Sequence, residues 1–302
     1  MTEFKDFTNS FDTKLFDKFF IKKLYNEIDF LIKASLEEDL GENGDVTSRA
    51  TLTERKAITA NIIAKQEGIF SGGFIVRMVF NTIDKAIKTV IYVQEGQFVH
   101  KNNDVISITG PAESVLTGER TALNFLSRTS GVSTLTNKFV DVMKGSNIKI
   151  LDTRKTCPGW RYLDKYAVKL GGGFNHRIGL FDMILIKDNH ITTAGGIKNA
   201  VKACREFLYK NKLELKIEVE TKNLEEVSEA LEEKVNRIML DNMTIDKIKK
   251  AVSLINKSCE IEISGGVKSE NIKDYYNTGV DFISIGEITH SAKVFDYSLL
   301  IN

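Results

Sequence analysis

The chain has 302 residues, with 42 Lys and Arg against 41 Asp and Glu, for a formal net charge of +1. That balance excludes a general nucleic-acid binder, which carries a strongly basic surface, and it makes any charge-driven function local. A hydrophobic fraction of 42% and a charged fraction of 27% are those of a soluble globular protein, one large domain or two ordinary ones.

The first ten or so residues read as a loose tail. The stretch "FDKFFIKKLYNEIDFLIKASLEEDLG" then places Phe20, Leu24, Ile28, Leu31 and Ile32 at helical spacing and stops near Gly41. Residues 56 to 110 are β-rich and cut by Gly and Asn. From about Glu113 to Met143 the pattern is helical again. Six short apolar runs follow: "IKIL", "MILIK", "LKIEVE", "RIMLD", "CEIEIS" and "DFISIG". Amphipathic segments separate several of them, such as "GIKNAVKACREFLYKN" and "TIDKIKKAVSLINK". Strands alternating with such helices imply parallel βα units. The expected fold is α/β, an open or incomplete αβ barrel over 130–287. An N-terminal α+β sandwich domain over 1–129 precedes it, completed by 288–302. Three widely spaced cysteines, Cys157, Cys204 and Cys259, suit neither a disulfide framework nor a zinc knuckle and fit a reducing compartment. No apolar run approaches the roughly 18 residues of a membrane span. The opening "MTEFKDFTNSFDTK" lacks the apolar segment of a signal peptide, so a cytoplasmic location is expected.

One window concentrates charge. Ile150 to His190 holds seven Lys and Arg, four Asp and two of the chain's four His. In αβ barrels working residues lie at the C-terminal ends of strands. Here those ends carry Asp152, Thr153, Arg154 and Lys155; Lys187 to His190; Glu220; Asp241 and Asn242; Ser264, Gly265 and Gly266; then Gly286, Thr289 and His290. The two glycine-bearing ends suggest a divided phosphate cradle, with Ser269 capping a following helix whose dipole adds to it. Arg suits bidentate carboxylate recognition, and Lys suits phosphate as a point charge. "KLGGGFNHR" allows His176 and Arg177 to turn into a pocket. Lys165 and Lys169, on a helix, read as solvated surface charges. Glu220 and Asp241 have two readings: neutralising Lys187 or Arg154, or holding Mg²⁺ or ribose hydroxyls. Cys157-Pro158-Gly159 reads as a turn, with no base beside the thiol to make it a nucleophile.

The stretches "EEDLGENGDVTS", "GERTALNFLSRTSGVST", "LDTRKTCPGWRYLDKYAVKLGGGFNHRIGLFDMILIKDNHI", "IEVET", "IMLDNM", "ISGG" and "ISIGEITHSA" together resemble the successive motifs of the quinolinate phosphoribosyltransferases. The resemblance runs from about residue 30 onward. It implies attack of quinolinate on the anomeric carbon of phosphoribosyl pyrophosphate, with loss of pyrophosphate and CO₂ to give nicotinate mononucleotide for NAD synthesis. It also implies Mg²⁺ dependence and a homodimer. Carried over by position, Thr153, Arg154, His176, Arg177 and Lys187 would grip the pyridine dicarboxylate, with Arg120 supplied by the second subunit. Lys155, Glu220 and Asp241 would be catalytic and would serve phosphoribosyl pyrophosphate, with the two acids toward the metal. Ser264, Gly265, Gly286 and His290 would hold the 5′-phosphate. The resemblance alone brings Arg120 into this set, since its helix makes it a surface charge. A nicotinate-using transferase and a non-catalytic metabolite sensor on the same scaffold are the rival readings.

Overall fold

The computed structural model describes residues 15–54 and 56–301, so most of the expected tail lies outside the described residues. In chain order the elements are helices α1 (Lys18–Leu40) and α2 (Val46–Thr51), then strands β1 (Ala57–Ala64) and β2 (Gly68–Ile69). Helix α3 (Gly73–Ile83) precedes β3 (Lys88–Ile91), β4 (Phe98–Val99) and β5 (Asp104–Pro111), and the long α4 (Ala112–Val142) follows. Next come β6 (Lys149–Leu151), α5 (Arg161–Leu170), β7 (Ile184–Ile186), α6 (Asp188–Ala194) and α7 (Ile197–Asn211). The chain continues through β8 (Ile217–Thr221), α8 (Leu224–Glu232), β9 (Arg237–Asp241), α9 (Ile245–Ile255), β10 (Glu260–Ser264) and β11 (Phe282–Ser284). It ends on the short α10 (Glu287–His290) and β12 (Tyr297–Ile301). All six apolar runs of the barrel region form strands.

The chain divides into two compact units. The first comprises residues 1–137, 156–172 and 289–302, and the second 138–155 and 173–288. A single cut after residue 129 would fall inside α4, which is one continuous helix from Ala112 to Val142. Segment 156–172 joins the first unit because α5 packs on α1 through aromatic rings. Phe16 lies 5.2 Å from Tyr166, and Phe20 lies 5.3 Å from Tyr162, centroid to centroid.

In the first unit, Asp17 caps α1 by accepting from the Phe20 N–H at 2.7 Å, and the helix ends at Gly41 in a positive-φ conformation. Phe20, Ile21, Leu24, Ile28, Ile32 and Leu36 form its buried face, as the spacing expects. An antiparallel sheet runs in the order β12-β1-β5-β3. Strand β12 pairs with β1 from Ala60↔Ile301 to Ala64↔Tyr297, so the chain's end does return to this unit. Gly131 in α4 allows the returning segment to cross closely, since a Cβ there would overlap the Lys293 carbonyl.

The second unit holds a six-stranded sheet in the order β6-β11-β10-β9-β8-β7, parallel throughout. A bridge from Leu151 to Phe174 extends it beyond β6. The sheet is curled. Were it flat, the spacing of ~4.8 Å per strand would hold His176, just past that bridge, some 20 Å or more from β8. Instead the His176 ring reaches Glu218 of β8 at 3.1 Å. No helix among the described residues is long and apolar enough to cross a membrane.

Candidate active site

Parallel strands present their C-terminal ends on one rim, and all six ends in the second unit carry residues read from the sequence. Strand β8 ends on Glu220 and Thr221, and β7 is followed by Lys187. Their pairing, Leu185↔Glu218 and Ile186↔Val219, brings Lys187 level with Glu220. Lys187 Nζ donates to Glu220 Oε2 at 2.6 Å. The neutralising reading of Glu220 is therefore realised. Asp241, ending β9, lies level with Ser264 of β10. One of its oxygens accepts from the Asn242 side-chain amide at 2.8 Å.

The basic set divides by depth. Arg154 and Lys155 are exposed on the loop after β6, where the Lys155 N–H donates to Thr153 Oγ1 at 3.1 Å. Arg177 is half-buried, and its Nη1 donates to the Met183 carbonyl at 3.1 Å. Burial and the neighbouring Arg154 guanidinium hold Arg177 below the ordinary arginine range. Two interacting guanidiniums, one of them partly desolvated, favour an anion between or beside them. His176 lies deeper and is buried. Its backbone N–H donates to Asp152 Oδ1 at 2.9 Å, and Asn175 Nδ2 donates to the other Asp152 oxygen at 2.6 Å.

The His176 ring is engaged at both nitrogens. Nδ1 accepts the Arg177 N–H at 2.7 Å, and Nε2 lies 3.1 Å from Glu218 and 3.4 Å from Glu262. Burial opposes charge on the ring, but Glu218 and Glu262 outweigh it and push the ring up to about 9. The Arg177 N–H works against that shift, because a protonated Nδ1 has no lone pair to offer. We place the ring as its Nε2–H tautomer. Burial and the charge of Glu262 push the Glu218 carboxyl up to about 7.

At the glycine-bearing end of β10, Gly265 and Gly266 both adopt positive φ, +86° and +67°. A Cβ on Gly265 would lie 2.5 Å from Cγ and 2.7 Å from Nδ2 of Asn242, whose own φ is +52°. The Asn242 N–H donates to the Ser264 carbonyl at 2.9 Å, tying the ends of β9 and β10 together. Part of the expected cradle differs. Ser269 caps no helix; its hydroxyl donates to Glu270 at 3.3 Å. The helical turn that follows is a single 3₁₀ turn, Ile272–Tyr275, too short to add a useful dipole.

The second unit thus brings Thr153, Arg154, Lys155, His176, Arg177, Lys187, Glu220, Asp241, Ser264, Gly265 and Gly286 together. Arg120 and His290 belong to the other unit and are exposed there, His290 with Nδ1 2.6 Å from Ser291 Oγ. Lys165 is a correction: it is fully buried, between buried Asp164 and Tyr166 on α5, rather than solvated. The exposed Cys157 does sit in a turn, its carbonyl accepting from the Trp160 N–H at 3.1 Å. The sequence reading missed Glu218, Arg237, Glu262 and Ser284, which surround His176 from below. The available signal was the alternation of acids in "IEVE" and "EIEIS", which places Glu218 beneath Glu220 and Glu262 beneath Ser264.

Two family models match this chain. Residues 45–130 match the quinolinate phosphoribosyl transferase N-terminal domain, and residues 132–300 match the C-terminal domain. The chain is 44% identical over 287 residues to the chloroplastic nicotinate-nucleotide pyrophosphorylase [carboxylating] of Arabidopsis thaliana, covering 90% of this chain and 82% of that one. It is 39% identical to a probable nicotinate-nucleotide pyrophosphorylase [carboxylating] of Bacillus subtilis, covering 92% of each chain. The solved nicotinate-nucleotide pyrophosphorylase of Francisella tularensis superposes with a TM-score of 0.88 at 41% identity, covering 92% of this chain and 96% of that one. With the two halves matched in order and relatives similar over nine-tenths of its length, the chain belongs to the quinolinate phosphoribosyltransferase family.

Proposed function

We propose that the rim of the second unit carries the family's reaction. The chain is a quinolinate phosphoribosyltransferase of NAD synthesis, joining quinolinate to phosphoribosyl pyrophosphate and releasing pyrophosphate and CO₂. Arg154, Arg177, Lys187 and Thr153 receive the pyridine dicarboxylate, and His176 supports Arg177 from beneath. Lys155, Glu220 and Asp241 face phosphoribosyl pyrophosphate, and Ser264, Gly265 and Gly286 face its 5′-phosphate. The observation that carries the dicarboxylate assignment is the gathering of Arg154, Arg177 and Lys187 in the second unit, on the loops that follow the C-terminal ends of its parallel strands.

The chemistry asks for positioning more than for a nucleophile. As the anomeric carbon gains positive charge and pyrophosphate gains negative charge, Lys155 stabilises the departing anion and Asp241 the developing cation. Once alkylated, the ring nitrogen is cationic and serves as the electron sink for loss of the adjacent carboxylate. When quinolinate binds, before any of these steps, Lys187 exchanges its Glu220 contact for a substrate carboxylate, which releases the Glu220 carboxylate for the ribose or the metal. Asp241 and Glu220, on neighbouring strands, suit Mg²⁺, which takes one or two carboxylates and completes its shell with water and phosphate. When bound there, Mg²⁺ supplies charge neutralisation to the pyrophosphate.

The assembly is a homodimer in which the exposed Arg120 reaches a second copy's site. The protein works in the cytoplasm; its three cysteines are free, as a reducing compartment keeps them. The deciding experiment supplies purified protein, Mg²⁺ and phosphoribosyl pyrophosphate with quinolinate or with nicotinate. CO₂ and nicotinate mononucleotide form from quinolinate alone, and chelation of the metal stops the reaction. Equal product from nicotinate, without CO₂, overturns the dicarboxylate assignment.

A further inference from the structure

We propose that Arg237, Glu262 and Glu218, one layer below the rim, are positioning residues that fix the His176 ring and the Arg177 backbone, and so set the affinity for the pyridine dicarboxylate. The inference rests on the function proposed above and deepens it.

The layer is built from alternation. Glu218 precedes Glu220 by two residues on β8, and Glu262 precedes Ser264 by two on β10, so each acid faces the same interior as the rim residue above it. Both acids are fully buried. Arg237, at the start of β9, donates from Nη1 to Glu262 Oε2 at 2.8 Å, and from Nε and Nη2 to Glu260 Oε2 at 3.2 and 3.0 Å. Its guanidinium carbon lies 4.0 Å from the Phe282 ring centroid, and Lys216 meets Glu260 at 3.1 Å from the far side. Ser284 donates its hydroxyl to Glu262 Oε1, the oxygen that faces His176. A continuous chain of contacts results, from Lys216 through Glu260, Arg237 and Glu262 to His176, with Glu218 beside the same ring nitrogen.

Fold stability alone does not call for this arrangement. Burying ionic groups costs several kcal/mol each before pairing returns it, and well-packed apolar side chains fill such a space as well or better. What the arrangement does supply is direction. Two carboxylates stand 3.1 and 3.4 Å from Nε2 and draw that end of the ring toward them electrostatically, while Nδ1 accepts the Arg177 N–H. Arg177 thus starts from a fixed backbone position. Without Arg237, the two acids flank the ring with no cation against them, and the ring's orientation and the Nδ1 bond to Arg177 give way. The Lys155 backbone is held by Thr153 Oγ1 and the Asp241 carboxylate by the Asn242 amide, so the change reaches the His176–Arg177 end of the site first.

The test is steady-state kinetics and direct quinolinate binding on Arg237→Met, Arg237→Lys and Glu218→Gln, each checked for cooperative thermal unfolding. In Arg237→Met, KM and Kd for quinolinate rise by about tenfold or more, while KM for phosphoribosyl pyrophosphate stays within about twofold. Arg237→Lys, which keeps the charge, recovers most of the quinolinate affinity. If Arg237→Met does not fold, Glu218→Gln carries the test, with the same selective loss in smaller measure. Folded variants with unchanged quinolinate KM overturn the inference, as does an equal rise in both KM values, the mark of general loosening. A wild-type protein that does not consume quinolinate overturns the functional reading instead, so the two failures are told apart.

Discussion

Both units hold carboxylates wholly or partly out of solvent, and they do so in opposite ways. In the first unit the partners are backbone N–H groups. Glu95 accepts from the N–H groups of Gly72 and Gly73, both at 2.7 Å, at the start of α3, and from the Tyr166 hydroxyl at 2.8 Å. Glu27 of α1 accepts from Tyr162 and Leu163 at 3.2 and 2.9 Å, at the start of α5. Neither helix has a side-chain cap of its own, so each carboxylate caps a helix distant in sequence. In the second unit the partners of Glu218, Glu220 and Glu262 are His176, Lys187 and Arg237. A carboxylate held by backbone amides fixes an element of structure. One held by another side chain orients that side chain, at the rim for Lys187 and just below it for His176 and Arg237.

That contrast predicts which substitutions act on folding and which on kinetics. The largest effect falls on Glu95→Ala. It strands two amides and a phenol that the carboxylate satisfies, at about 1–3 kcal/mol for each buried donor left unpaired. Relief of desolvation, which raises the Glu95 pKa, offsets part of this. We expect a net loss of about 2–4 kcal/mol, measured by denaturant unfolding; a shift within experimental error would remove the capping role.

Arg177→Ala comes next and acts on kinetics. A charged hydrogen bond is worth about 1.5–3 kcal/mol, so quinolinate KM rises roughly 10- to 150-fold. Arg154→Ala and Lys187→Ala move it in the same direction, and stability changes little in the exposed Arg154 variant. Unchanged quinolinate kinetics in all three would take the cations out of the site and leave the contrast between units without meaning.

Glu27 gives the contrast a pH axis. Burial pushes its carboxyl up to about 7 from an ordinary 4.5, against the lowering pull of the Leu163 and Tyr162 amides. A folded-state pKa above the unfolded one means that the folded protein binds the extra proton between those values. Stability from this group is therefore fully present below pH 4.5 and is lost as pH rises through 7. The gain on acidification is about 1–3 kcal/mol. Glu218, also pushed up to about 7, contributes with the same sign. Glu27→Gln should flatten part of the rise in unfolding free energy between pH 7.5 and 5, as measured by chemical denaturation. An unaltered slope in Glu27→Gln would assign that rise to other groups.

The same contrast explains what could be read without coordinates. Parallel strands with both faces covered appear as short apolar runs, and their polar ends mark a rim; this is why Arg154, Lys187, Glu220 and Asp241 were visible. Glu218 and Glu262 were not, because an acid at every second strand position usually signals a solvent face. Here that face is the interior of a curled sheet, and curling depends on contacts that no local pattern encodes. Lys165 was misread for a related reason. A lysine on an amphipathic helix is ordinarily solvated, yet α5 buries Asp164, Lys165 and Tyr166 together, with Asp164 answering Arg128 at 2.9 Å. Glu27 caps α5 across a separation of 135 residues and leaves no trace near either partner.

The smallest effect separates two adjacent glycines and tests whether the end of β10 is shaped for a ligand or merely turns. At Gly266 a methyl group would find only Asn242 Oδ1 at 3.9 Å, so alanine there meets the cost of φ +67° and nothing else, about 1 kcal/mol. At Gly265 the φ cost is similar, but the methyl also displaces the Asn242 amide, which bonds Asp241 at 2.8 Å. Gly265→Ala should therefore lower stability slightly more than Gly266→Ala and alone raise KM for phosphoribosyl pyrophosphate, by several-fold, through the shift of Asp241. Quinolinate KM should stay constant in both, because neither glycine touches Arg154, Arg177 or His176. Equal kinetic effects in the two variants would mean that backbone strain, and not the Asn242 contact with Asp241, governs this end of the strand.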